Sequence, residues 1–146
     1  MNDVGKCIFC GIVNGERPCS KVCEDEALLA FMDIQPVNEG HILIIPKKHF
    51  EFVSAVDEAT LGKMAAMAKA IGFALRNASE KCEGINWFLA DGEAAGQEIT
   101  HVHLHVIPRF EGDGFGLRFP AGYKDKPSRQ ELDQTADRIA QSMRHS

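Results

Sequence analysis

The stretch Gly96-Gln97-Glu98-Ile99-Thr100-His101-Val102-His103-Leu104-His105-Val106-Ile107-Pro108-Arg109 decides how this chain is read. Residues 101–106 alternate polar and apolar side chains, the period of a β-strand, within a strand expected over 100–107. On such a strand His101, His103 and His105 share one face, while Val102, Leu104 and Val106 point the other way, into a core. Three imidazoles crowded on one sheet face repel when protonated, and a solvated strand would be served as well by Thr or Lys. Two uses remain. Alternating histidines can hold zinc from one side. Alternatively, a neutral imidazole with a pKa near about 6.5 is a good nucleophile towards phosphorus at neutral pH. A neighbouring histidine would then stabilise the charged oxygens or protonate the leaving group. The preceding loop, Gly92-Glu93-Ala94-Ala95-Gly96-Gln97-Glu98, favours phosphate, because small residues let free backbone N–H groups approach an anion closely.

Working outward, residues 41–45 are almost wholly apolar and predict a central strand that Pro46 stops. Residues 8–13 predict a short helical turn ending at Asn14-Gly15. Residues 21–24 and 27–32 predict two strands about the turn Glu24-Asp25-Glu26. A long helix is expected from an Asp57 N-cap to about Ser79, its buried stripe being Leu61, Met64, Ala65, Ala68, Ile71, Gly72 and Leu75. Residues 85–89 form the next strand, on which Trp87 packs against the sheet. Ser128 and Glu131 make a capping box for a last helix over about 128–143, with Leu132, Ala136, Ile139 and Met143 as its inner face. Successive strands around one long helix, without βαβ alternation, imply a mostly antiparallel sheet in an α+β domain.

Size and composition bound the rest. The 146 residues suit a single domain, with a core over about 7–109 and a C-terminal extension. Hydrophobic residues make up 45% and charged residues 25%, as in an ordinary globular chain. Sixteen basic against twenty-one acidic side chains give a net charge of −5, which argues against a general nucleic-acid surface but leaves an anionic small molecule open. No apolar run approaches the roughly 20 residues of a membrane span. The polar start, Met1 to Gly5, lacks the order of a signal peptide, so a cytoplasmic protein is expected. Five cysteines, an odd count, do not suggest a disulfide framework, and Cys19, Cys23 and Cys82 read as idle thiols. Cys7 and Cys10 form a C-x-x-C that, with distant histidines, could supply four tetrahedral zinc ligands; otherwise they are reduced thiols with His49 on the surface.

The histidine stretch resembles the signature of the histidine-triad (HIT) superfamily, His-φ-His-φ-His-φ-φ with φ apolar. Ile8-Phe9-Cys10-Gly11-Ile12-Val13, Ala30-Phe31-Met32-Asp33-Ile34 and Gly40-His41-Ile42-Leu43-Ile44-Ile45-Pro46-Lys47-Lys48-His49 resemble the family's other blocks, in order. The resemblance implies a HIT-like fold, a mostly antiparallel five-stranded sheet with one long helix and a C-terminal helix, in a symmetric homodimer. It implies a hydrolase or transferase acting at the α-phosphate of a purine nucleotide through a covalent nucleotidyl-histidine. His103 would be the nucleophile and His105 would contact the α-phosphate, with Gly96, Gln97 and the loop amides nearby. His41 falls where the family places a further active-site histidine. Asp33 would take the ribose hydroxyls, and Phe9, Ile12, Phe31, Ile34 and Leu43 would enclose the base. Cys7, Cys10, His49 and His101 resemble the zinc ligands of many bacterial members and of the related uridylyltransferases. Two positions depart from the pattern. Ala90 stands where the family often has Asn, and Glu98 stands where the nucleotide-binding branch has a Ser that contacts the leaving group.

Two activities fit the resemblance. One is the purine nucleoside phosphoramidase of the nucleotide-binding branch. The other is the dinucleoside polyphosphate hydrolase of the fragile-histidine-triad branch, which the Ile107-Pro108-Arg109 continuation and the C-terminal helix resemble more. The rivals are a nucleotide-binding regulatory module with little turnover, which Glu98 and Ala90 would suit, and a metal-dependent hydrolase whose triad ligates a catalytic zinc. No nucleic acid or membrane partner is expected.

Overall fold

The computed structural model describes residues 4–146, which fall into two compact units, one up to Gly114 and one from Phe115. The first unit contains, in order, α1 (Ile8–Val13), β1 (Lys21–Glu24), β2 (Leu28–Met32), β3 (Ile42–Pro46), α2 (Glu58–Ala78), β4 (Gly84–Phe88) and β5 (Leu104–Arg109). Its five strands lie in the order β1-β2-β3-β5-β4, and every neighbouring pair is antiparallel. The architecture is therefore the α+β, mostly antiparallel five-stranded sheet that the sequence implied.

Burial on both faces explains the apolar run of β3, all five residues of which are buried at the centre of the sheet. One face packs under α2. Leu28, Ala30, Ile42, Ile44, Leu104 and Val106 meet Met64, Ala68, Ile71 and Leu75 there. Asp57 starts α2 as foreseen, its carboxylate accepting from the Thr60 N–H at 3.0 Å. Ala65, counted in the buried stripe, is exposed, and Met67 is partly buried against the core instead. The stripe is thus narrower at its start and swings by one position, a small drift for a period of 3.6. On the opposite face Leu29, Phe31, Leu43 and Ile45 pack with Phe9 of α1. Each such buried side chain is worth about 1.5–3 kcal/mol against exposure.

The ladder of β5 starts at Leu104, paired with Ile44, and not at residue 100. Upstream, the Val102 N–H donates to the Phe50 carbonyl at 2.8 Å, so the chain joins β3 only after the first two triad histidines. The alternation of faces survives, since Val102 joins the α2 side of the core while His101 and His103 are buried on the other side. Trp87, expected to pack on the sheet, is 50% exposed on the edge strand β4. The second unit holds α3 (Arg129–Arg144). Its Ser128/Glu131 capping box forms reciprocally, the Ser128 N–H donating to Glu131 at 2.8 Å and the Glu131 N–H to the Ser128 hydroxyl at 3.2 Å. Its expected inner face is corrected. Leu132, Ala136, Ile139 and Met143 are all exposed, because a cap is a local device whereas cover for a helix face must come from elsewhere.

Candidate active site

Strand register lays one row of side chains across the face opposite α2. Phe31 of β2 opposes Leu43 of β3, Leu43 opposes His105 of β5, and His105 opposes Phe88 of β4. The row is apolar at the β2 end and imidazole-bearing at the β5 end. α1 lies against it, with Phe9 edge-on to Phe31 at 5.6 Å and to His103 at 5.2 Å between ring centres. Between them opens a cavity of about 610 Å³ lined by Phe9, Ile12, Phe31, Asp33, Leu43, His41, His103 and His105 among others.

Hydrogen-bond partners that are donors or acceptors only assign the tautomers. His103 Nδ1 lies 2.7 Å from the His101 carbonyl, an acceptor, so Nδ1 holds a proton and the neutral ring has its lone pair on Nε2. The Val37 N–H donates to His41 Nδ1 at 3.0 Å, so the proton of His41 sits on Nε2. That Nε2–H faces His105 Nδ1 at 2.9 Å, which leaves the His105 proton on its own Nε2. The cavity thus presents a nucleophilic nitrogen on His103 beside an N–H donor on His105, their ring centres 5.0 Å apart. Burial, with help from His103 and His41, holds His105 down at about 4, against a small opposing pull from Asp33. Burial likewise lowers His41, despite Asp33 Oδ2 at 3.5 Å, so that contact joins a neutral ring to a carboxylate.

His101 turns to a separate task. Its Nε2–H donates to the Pro46 carbonyl at 2.8 Å, leaving the Nδ1 lone pair 3.5 Å from Cys7 Sγ and 3.7 Å from Cys10 Sγ. His49 Nδ1 lies 3.3 Å from Cys10 Sγ, and all four ligand atoms fall within 4.8 Å of one another. A tetrahedral zinc with Zn–S near 2.3 Å and Zn–N near 2.1 Å sets adjacent sulfur and nitrogen ligands about 3.6 Å apart. The donor set and its spacing therefore fit zinc, with Pro46 fixing the His101 tautomer as an outer-shell acceptor. Without metal the cluster is poorly solvated. Burial, then Cys7, pushes the Cys10 thiol up to about 11, and burial holds His101 down to about 4. Asp33, His41 and His105 also converge, yet the proton on His41 Nε2 removes the lone pair a metal would need there. Among the described residues no cluster of ligand atoms joins His101, His103 and His105, which does not favour the triad as ligands of one catalytic zinc.

Other expected site residues fall less simply. Ile34 reaches the cavity only at its mouth, 95% exposed. Gln97 braces its own loop, accepting from the Gly92 N–H at 2.7 Å and donating to the Glu51 carbonyl at 2.8 Å. The amides of Gly92, Ala95, Gly96 and Gln97 are likewise bonded within this loop, so the free N–H groups expected there are not among these four. Gly92 and Gly96 take φ of +99° and +90°, which only glycine adopts cheaply. Gly96 and Glu98 line the cavity, and Ala90 is buried behind the loop. Several lining residues escaped the sequence reading, Phe88 and Arg17 among them. Phe88 lies tilted against His105 with ring centres 5.6 Å apart, legible only from strand register, and Arg17 gave no signal beyond its charge.

A family profile described as "HIT domain" matches residues 14–112. The chain belongs to the HIT family. "Protein hit" of Bacillus subtilis is 41% identical over 149 residues, covering 100% of both chains. A HIT family protein from Bacillus anthracis superposes with a TM-score of 0.84 at 39% identity, covering 94% of this chain and 96% of that one. A histidine triad nucleotide-binding protein from Candida albicans gives 0.84 at 30% identity, over 96% and 99%. A zinc-bound histidine triad protein from Mycobacterium smegmatis gives 0.73 at 37% identity, over 83% and 87%. These HIT family relatives share the fold over most of their length.

Proposed function

We propose that this HIT protein is a nucleotidyl hydrolase or transferase that acts at the α-phosphorus of a purine nucleoside phosphoramidate or dinucleoside polyphosphate. The observation that carries the reading is the His103 tautomer, which leaves an unprotonated Nε2 lining the cavity beside the His105 N–H. The nucleoside would lie over Phe31 and Leu43 under Phe9 and Ile12, with Ile34 at the mouth and Asp33 taking the ribose hydroxyls. His103 Nε2 forms a P–N bond as the bond from phosphorus to the leaving group breaks. A leaving amine takes its proton from solvent, a leaving phosphate departs as its anion, and the attacking water of the second step returns a proton to solvent. Water then cleaves the P–N bond, releasing the nucleotide and restoring the imidazole. His105 Nε2–H stabilises the phosphoryl oxygens through both steps. His41 holds the His105 tautomer, Gln97 and Gly96 hold the loop, and Glu98 faces the leaving group.

Cys7, Cys10, His49 and His101 would hold a structural zinc, which ties the segment before α1 to the sheet; the zinc-bound mycobacterial relative supports this. The reading is of a homodimer in the cytoplasm, in line with the family resemblance. No helix among the described residues is long and apolar enough to cross a membrane. One observation favours a second reading, a nucleotide-binding module with little turnover. Four loop amides are engaged internally and Ala90 offers no polar group, so the site has few donors for a transition state. Calorimetry with AMP, paired with AMP release from an adenosine 5′-phosphoramidate, separates the two. Turnover that falls by at least about 10³-fold in His103→Ala while AMP still binds supports the enzyme. Binding without turnover in the wild type supports the module.

A further inference from the structure

From Arg17 at the apolar end of the cavity we infer that this site prefers nucleotides of 6-oxopurines, guanine or hypoxanthine, over adenine. The inference rests on the nucleotide reading above. Arg17 lines the same cavity as His103 and His105, together with Pro18, Ile12 and Phe31. Its place is fixed by Gly11, where an added Cβ would come within 3.1 Å of Arg17 Cδ and 3.3 Å of its Nε. The Arg17 backbone N–H is tied to the Gly11 carbonyl at 3.2 Å. The absence of a side chain at Gly11 therefore lets the Arg17 side chain lie across α1, and Arg17 lines the cavity there.

Position along the cavity follows from the sheet. Pro18 leads into β1, whose Lys21 opposes Phe31, and the row then runs through Leu43 to His105. Strands lie about 4.8 Å apart, so the β1 side stands roughly 10–14 Å from His105. A nucleoside with its phosphorus at His103 and its ribose at Asp33 carries its base edge towards that side. The guanidinium meets the edge with donors only. Guanine and hypoxanthine offer O6 and N7, two acceptors that match the fork, whereas adenine offers N7 beside an amino donor that does not. No hydrogen bond or ion pair engages the Arg17 side chain among the described residues, so nothing in the protein competes for it. Aliphatic neighbours such as Ile12 enclose the base without distinguishing one purine from another.

The test is calorimetric binding of GMP, IMP and AMP to the wild type and to Arg17→Met, which keeps the packing over Gly11. Because Arg17 is exposed, the expected preference lies at the low end for such a pair, about five- to tenfold for GMP and IMP over AMP. Arg17→Met should abolish it, lowering affinity for GMP and IMP more than for AMP. Equal binding of the three nucleotides by the wild type overturns the inference, as does a preference that survives in Arg17→Met. A preference for GMP that IMP does not share also overturns it, since it would place recognition at the 2-amino group. Failure to bind any of the three overturns the nucleotide reading itself, and this inference with it.

Discussion

Replacing His41 by leucine tests the tautomer chain that prepares the site. The imidazole is buried at 3% exposure and makes two directed bonds, accepting from the Val37 N–H at 3.0 Å and donating to His105 Nδ1 at 2.9 Å. Leucine fills most of the volume and makes neither. A half-buried N–H left without a partner costs about 1–3 kcal/mol, which for a domain of this size lowers Tm by roughly 3–10 °C. Losing the bond to His105, worth about 1 kcal/mol net, shifts its tautomer ratio about fivefold away from Nε2–H. Looser orientation of that ring adds up to roughly tenfold, so kcat should fall about five- to fiftyfold with KM little changed. His41→Gln should recover most of the rate, since its amide oxygen can accept from Val37 and its NH2 can donate to His105. Steady-state release of AMP from the phosphoramidate reads the rates, and 15N shifts of His105 read the tautomer directly. A His41→Leu enzyme with kcat within twofold of wild type, or Leu and Gln variants that behave alike, would refute the relay.

Three further outcomes follow from the same geometry. Chelation with a zinc-specific reagent should lower Tm before activity is lost, and Cys10→Ser should do the same; loss of turnover at unchanged Tm would assign the metal to the chemistry instead. Gly40→Ala should destabilise by about 1–3 kcal/mol, because φ is +96° and the new Cβ would meet Leu75 Cδ2 at 3.0 Å and Pro108 Cγ at 3.3 Å; urea unfolding measures it, and a change below about 0.5 kcal/mol would be contrary. Acid should destabilise the protein through His105. Its folded pKa of about 4 lies below the unfolded value, so the unfolded chain binds the extra proton, and stability present above about pH 6.5 is lost as pH falls towards 4. A His105→Asn variant should show a flatter dependence over that window, and an identical slope would contradict the assignment.

The parts of the fold written in local pattern were legible in the chain. α1 (Ile8–Val13) and β1 (Lys21–Glu24) fall on the expected residues, and Asp57 and Ser128 cap the helices as read. What escaped depended on partners distant in sequence. His101 could be grouped with Cys7, Cys10 and His49 only by resemblance, since it lies 94, 91 and 52 positions from them and only folding shows that their ligand atoms converge. The start of β5 was set by where β3 stops pairing, which no pattern within residues 100–107 reveals. Gln97 is polar and sits beside the triad, but the Glu51 carbonyl that claims it is 46 residues away. Arg17 had no periodicity or motif to single it out, and its place at the cavity depends on the missing side chain at Gly11. Exposure of Leu132, Ile139 and Met143 shows the converse limit, because an apolar stripe specifies a face without saying what covers it.

The measurement that bears most directly on the role of His103 is intact-mass and peptide mass spectrometry of the protein quenched in alkali within seconds of mixing with an adenosine phosphoramidate. An adenylate adduct localised to His103, absent from His103→Ala, is the predicted result. Turnover in the wild type with no adduct, or an adduct carried by His105 or His41, would contradict it.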